Sequence, residues 1–304
     1  MSHDQGYIVV ASNWRGMSIF DIPVIVKAFA ADPNIIMNIR DGIIQGYAFK
    51  AGITHFCKHS LLEMDFMKFH NNPIKLRSGE KPRIIFYGIS QGGILGSAYS
   101  TLMSQSTLLD GAAIVSAGTP FAAIMTRSSI FFDKYQNLML LNLIHNRHVR
   151  IFISILQMVY DCVEAGGVLA LTKMEDRVPT LLQAGIGDSV VTTIASRILA
   201  RSYGASIFPS NPTKIFELPI FALDDHIEVK SVYTEFLYEE EARSLPPSDT
   251  DGGFNPVHIC ARSDPYAIEQ LTEFINSGKF LDVCPDKGCR RKSSWQRWNK
   301  DYCV

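Results

Sequence analysis

Arg83-Ile84-Ile85-Phe86-Tyr87-Gly88-Ile89-Ser90-Gln91-Gly92-Gly93-Ile94-Leu95-Gly96-Ser97-Ala98-Tyr99 is the stretch whose reading decides the fold. An apolar, partly β-branched run predicts a buried strand. A knot of glycines follows, and then a run with helical character. Gly88-x-Ser90-x-Gly92 is the spacing of a sharp strand-to-helix turn that lifts a serine hydroxyl clear of a sheet edge. The serine backbone in such a turn is strained, so side chains two residues away on either side are expected to collide. Gly93 gives the helix room to pack close to the strand. Ser90 is therefore the candidate nucleophile.

Outward from this turn, strands and helices alternate. Upstream, Tyr7-Ile8-Val9-Val10-Ala11-Ser12 reads as a short buried parallel strand, and residues 21–31 and 33–48 read as helices, with helical period continuing to about 70. Downstream, residues 91–105 read as the helix after the turn and 111–118 as a second buried strand ending at Thr119-Pro120. Residues 121–174 are helical in pattern and unusually apolar. A strand over 178–184 leads into Gly185-Ile186-Gly187-Asp188, followed by a helix over 190–203 closed by Gly204. Residues 228–238 alternate as a strand, and a polar loop over 239–256 leads to His258. Asp264-Pro265 opens a last amphipathic helix that Gly278 stops. This alternation predicts an α/β fold, doubly wound around a mostly parallel sheet.

Composition narrows the function classes. The chain has 304 residues, 47% apolar and 19% charged, with a formal net charge of −1, so neither nucleic acid nor an anionic membrane is expected as a partner. No signal peptide is visible at Met1, and cytoplasmic residence is the default expectation. The apolar region 138–171 is interrupted by Asn142, Arg147, Arg150, Gln157, Asp161 and Glu164, so no membrane span is expected.

Beyond Ser90, two residues fall where chemistry needs them. Asp188 and His258 each follow the C-terminal end of a predicted strand, and a serine hydroxyl needs an imidazole to take its proton and a carboxylate to orient that imidazole. Asp188 has a second reading as a cap of the following helix, and His258 as a surface histidine, with His226 as the spare candidate. In the order Ser90, Asp188, His258, each on the loop after a different strand, the chain resembles the α/β-hydrolase superfamily from Tyr7 to Gly278. The resemblance implies a hydrolase core over 1–120 and 176–280, a helical cap insert over 121–175, and a basic, cysteine-containing tail over 281–304. It implies a serine hydrolase acting on a small-molecule carboxylic ester through an acyl-enzyme. The alternative is an impaired hydrolase-like protein that acts as a binding module. Gln91 would offer one oxyanion N–H. The triad needs no cofactor.

The opening departs from the family. Residues 6–16 resemble the family's fourth strand and the turn after it, with Asn13 in place of the usual Asp. Too few residues precede Tyr7 for the family's first three strands, one of which carries the second oxyanion amide. Either the fold is N-terminally incomplete, or residues 7–12 replace the missing strand and the turn at Trp14 or Arg15 supplies the amide. An incomplete sheet would leave an exposed edge and an invitation to oligomerise.

Three features carry less. His145-x-x-His148 places two imidazoles on one helix face, as metal ligands or as a lid surface. The apolar residues Phe131, Phe132, Leu138, Leu140, Leu141, Ile151, Ile153, Leu156, Met158 and Val159 read as a buried core or as the wall of an acyl or aryl pocket. Cys284 and Cys289 are a disulfide loop or half a metal site, and a solvated basic tail is the plainer reading of their surroundings.

Overall fold

The computed structural model describes residues 6–69, 72–73, 81–130, 132–221, 229–238, 257–284 and 289–291. Its centre is a parallel sheet of β1 (Ile85–Ile89), β2 (Gly111–Val115), β3 (Thr180–Ile186), β4 (Ser206–Ile207), β5 (Ser231–Tyr238) and β6 (Arg290–Arg291). The spatial order is β1-β2-β3-β5, and both β4 and β6 lie on the far side of β5. β4 pairs near its start, Ser206 with Val232, and β6 at its end, Leu237 with Arg290. Among the described residues the outer edge of β1 pairs with no strand.

Period-two alternation sends side chains to both faces of this sheet. Ala112, Ile114, Leu182 and Ala184 join the larger core, together with Leu95 and Tyr99 of α3 (Gln91–Leu102) and Leu199 of α8 (Thr193–Tyr203). Ala113 and Leu181 point the other way, onto Leu271 and Phe274 of α10 (Pro265–Ser277). α1 (Ile22–Ala30) and the long α2 (Ile36–His59) close the outside of the larger core. The α/β class with helices on both faces of a parallel sheet is thus present.

Local signals set several boundaries. Asp264 accepts a hydrogen bond from Tyr266 N at 2.9 Å and Pro265 is the first helical residue, so α10 starts where the sequence predicts. Gly278 and Gly204 end α10 and α8 in the left-handed conformation, with φ of 79° and 63°.

Two expectations are corrected. Residues 7–12 form no strand: Ile8, Val9 and Val10 are 49%, 65% and 51% exposed. The segment is held by side chains instead, Tyr7 Oη donating to Asn276 Oδ1 at 3.0 Å and Lys50 Nζ donating to Ser12. An apolar β-branched run becomes a strand only beside a partner, and no described strand stands next to it. The replacement of a missing strand by residues 7–12 therefore does not occur.

The reading of Cys284 and Cys289 as part of a solvated tail is the second correction. Cys284 and Cys289 are buried and joined in a disulfide, and Leu237 N donates to Cys289 O at 2.8 Å, which fastens β6 to β5. Cys260 is disulfide-bonded as well. The loop 239–256, His226 and Phe131 lie outside the described residues, as do the side chains of Phe132 and its two successors.

Between β2 and β3 the chain forms α4 (Phe121–Met125), α5 (Phe132–Leu143), α6 (Asn146–Tyr160) and the short α7 (Ala165–Val168). The buried Glu164, just before α7, ties α4 and α6 together. It accepts from Thr119 Oγ1, Phe121 N and Gln157 Nε2 at 2.7–2.8 Å, and burial raises its pKa.

Candidate active site

Ser90 sits at the junction of β1 and α3 with φ 55° and ψ −126°, a region that residues with a Cβ rarely occupy. The conformation is held from three sides. Ser90 N donates to Val115 O on β2 at 2.9 Å, and Ser90 O accepts from Gly93 N and Ile94 N. The surrounding structure thus imposes the strain, which is the arrangement expected of a serine presented for chemistry.

The glycines divide the work unequally. A Cβ on Gly88 would stand 2.5 Å from Gly92 O and 2.8 Å from Phe86 Cε1, and one on Gly93 would stand 2.8 Å from Ala117 Cβ. A Cβ on Gly92 would meet only Trp14 Nε1, at 3.8 Å. The expected collision therefore holds for Gly88 and not for Gly92. Gly88→Ala is expected to destabilise the fold by about 1–3 kcal/mol by overpacking. Gly92→Ala, inside α3, is expected to be neutral or to gain up to about 1 kcal/mol of helix propensity. Urea denaturation of the two variants checks the contrast.

Asp188 follows β3 and is buried, and both of its oxygens are used. Oδ1 accepts from Val190 N at 2.7 Å and Val191 N at 3.0 Å. Oδ2 meets His258 Nδ1 at 2.7 Å. The expected cap is corrected: the helix begins only at Thr193 with Thr192 at its N-cap, and Asp188 instead holds the turn before it while it meets His258. His258 lies on a short helix, α9 (Val257–Ser263), rather than in a loop, and Val257 packs against Gly185 of β3. With Asp188 at Nδ1, Nε2 has no hydrogen-bond partner among the described residues. Ser90 Oγ makes no hydrogen bond among the described residues, so the structure brings together the acid and the imidazole but does not join the imidazole to the serine.

Gln91 opens α3, so its N–H is among those a helix leaves without an internal acceptor. Its side chain anchors the neighbouring turn, Nε2 donating to Met17 O at 2.6 Å. The backbone of that turn packs closely on α2: Gly16 Cα lies 2.9 Å, and Arg15 N 3.3 Å, from where Cβ atoms on Gly42 and Gly46 would stand. What Trp14 turns toward the Ser90 helix is its indole, packed edge-on against Tyr47, Phe86 and Tyr99.

Lys50, which the sequence did not single out, fixes this turn from behind. It is 7% exposed, with Nζ 3.9 Å from the Trp14 ring centroid and donating to Ser12 Oγ and O and to Asn13 O. Burial among neutral partners pushes its pKa down to about 8. The folded state then holds fewer protons than the unfolded chain between pH about 8 and the ordinary lysine value of about 10.4. Stability is expected to rise with pH across that window through this residue. Denaturation at several pH values for wild type and Lys50→Met checks it: the variant is expected to lose that part of the slope.

The other candidates resolve more simply. His145 and His148 have ring centroids 5.4 Å apart, His148 Nδ1 is 2.9 Å from Leu143 O, and no metal-holding cluster exists among the described residues. Of the apolar residues in the insert, Leu156 is buried, while Leu141, Ile151 and Met158 face solvent, so these three neither fill a core nor line a pocket. No protein-family model matches the chain, no curated protein matches it, and no solved structure matches its fold.

Proposed function

We propose that this protein is a serine hydrolase of the α/β-hydrolase type that cleaves a carboxylic ester through an acyl-enzyme. The observation that carries the reading is the joint presence of a strained Ser90 at the C-terminal end of β1 and an Asp188–His258 dyad after β3. Both elements follow the C-terminal ends of parallel strands, where open α/β sheets place their sites. In this reading His258 Nε2 takes the Ser90 proton as Oγ attacks the ester carbonyl. Asp188 holds the imidazole in the required tautomer and stabilises its positive charge. Gln91 N–H supports the oxyanion. His258 then returns the proton to the leaving alkoxide, and water repeats the sequence to release the acid. The helical insert 121–175 stands as the cap in this scheme.

A second reading has one observation in its favour. With residues 7–12 unpaired, no described strand flanks β1 to supply a second oxyanion amide. Loss of one such donor costs about 100- to 1000-fold in turnover, so a protein of this fold that binds without cleaving is the competing account. Hydrolysis of p-nitrophenyl esters of rising chain length, with Ser90→Ala as the control, separates the two. Turnover that depends on Ser90 supports the hydrolase, and its absence on every ester favours the binding protein.

A further inference from the structure

The helix α6 is apolar on two opposite faces. Val149, Leu156 and Tyr160 are buried toward the core. Ile151, Ile155 and Met158 recur at the i, i+4, i+7 spacing of one helical face and are 50%, 52% and 74% exposed. The wheel places that face opposite Leu156. Leu141 near the end of α5 and Ile144 just after it are also apolar and exposed, at 72% and 73%. A soluble monomer ordinarily keeps such contiguous apolar surface small, and larger patches mark a docking surface.

Charge identifies the kind of partner. Between Asp133 and Asp161 the sequence has no Asp or Glu, and beyond Lys134, which Asp133 adjoins, Arg147 and Arg150 are cationic and His145 and His148 titratable. Arg147 and Arg150 are exposed on the same outward side of α6, and neither meets a carboxylate among the described residues. The acid at the far end, Asp161, is engaged by Gln157 Nε2 at 2.7 Å. A net charge of −1 over the whole chain conceals this local separation. Among the described residues no single helix is long and apolar enough to cross a bilayer. Only the bent pair Asn146–Val163 and Ala165–Leu171 matches a span by length and composition, and Val149, Leu156 and Tyr160 of it are buried in the core. Basic side chains beside an apolar helix face fit a helix lying in the interface of a membrane rather than through it.

We propose that the outer face of the α5–α6 hairpin docks on the surface of a phospholipid bilayer that carries anionic headgroups. Ile151, Ile155 and Met158 enter the headgroup–acyl boundary, while Arg147 and Arg150 meet the lipid phosphates. The proposal does not rest on the chemistry at Ser90, and its test is one of binding.

The test is co-sedimentation of the full chain with vesicles of phosphatidylcholine alone and of phosphatidylcholine mixed with phosphatidylglycerol. Binding is expected to the mixed vesicles, weakening as salt is raised. The Arg147→Gln/Arg150→Gln pair is expected to bind about thirty-fold more weakly, at roughly five-fold per arginine. Ile155→Ser/Met158→Ser is expected to lose at least about ten-fold through lost apolar burial. All four positions are exposed, so thermal melts of the variants should match wild type. Equal partition onto neutral and mixed vesicles, or binding that neither pair reduces, would overturn the proposal. So would a wild-type dimer in size-exclusion chromatography that Ile155→Ser/Met158→Ser dissociates, because the face would then belong to a second copy of the chain.

Discussion

Ser90→Ala is expected to remove ester turnover almost entirely, a loss on the order of 10⁶-fold in kcat if the serine and histidine act as one unit. The size follows from covalent catalysis, because without Oγ no acyl-enzyme forms and only binding and the oxyanion donor remain. Stability is expected to change little. Alanine keeps a Cβ at φ 55°, so the strain stays, and Ser90 Oγ makes no hydrogen bond among the described residues that the fold would lose. Steady-state kinetics beside a denaturation curve separate lost chemistry from lost folding.

The second large effect belongs to Asp188→Asn, expected to lower kcat by about 10⁴-fold. The introduced side-chain amide can keep its carbonyl toward Val190 N and Val191 N, so the turn over 188–191 survives. Its N–H₂ group then faces His258 Nδ1, where the Asp188 Oδ2 stood at 2.7 Å. A donor at that place forces Nδ1 to accept and Nε2 to carry the proton. Nε2 is the atom required to take the proton of Ser90, so the base is lost through its tautomer rather than through misfolding. Kinetics together with an unchanged thermal transition are the expected pair of results. A loss of activity that only parallels a loss of folded protein would assign Asp188 to holding the 188–191 turn alone.

Much of this arrangement is legible in the residues, because the signals are local. The glycines around Ser90 describe a turn that a single stretch of chain builds, and Asp264 and Gly278 bound α10 by their own backbone preferences. Asp188 and His258 are legible through their order and their places after strands, although they meet across 70 positions. What escapes is what depends on a neighbour. Residues 7–12 have the composition of a strand, and they lie exposed because pairing is a property of two segments. β4 spans only Ser206–Ile207, too short for any alternation to show. The burial of Cys284 and Cys289 themselves opposes the polar look of the sequence around them. The insert misleads for another reason: apolar residues on both faces of α6 read as core or pocket, and only the fold reveals which face is turned outward. Lys50 stays hidden because a lysine in a helix ordinarily reads as solvated surface.

The central claim, that Ser90 is a nucleophile activated by His258, is tested most directly by a fluorophosphonate probe followed by peptide mapping. A single adduct on the peptide carrying Ser90 is predicted, absent from Ser90→Ala and greatly slowed in Asp188→Asn. Equal labelling of wild type and Ser90→Ala, or an adduct on another residue, would contradict it.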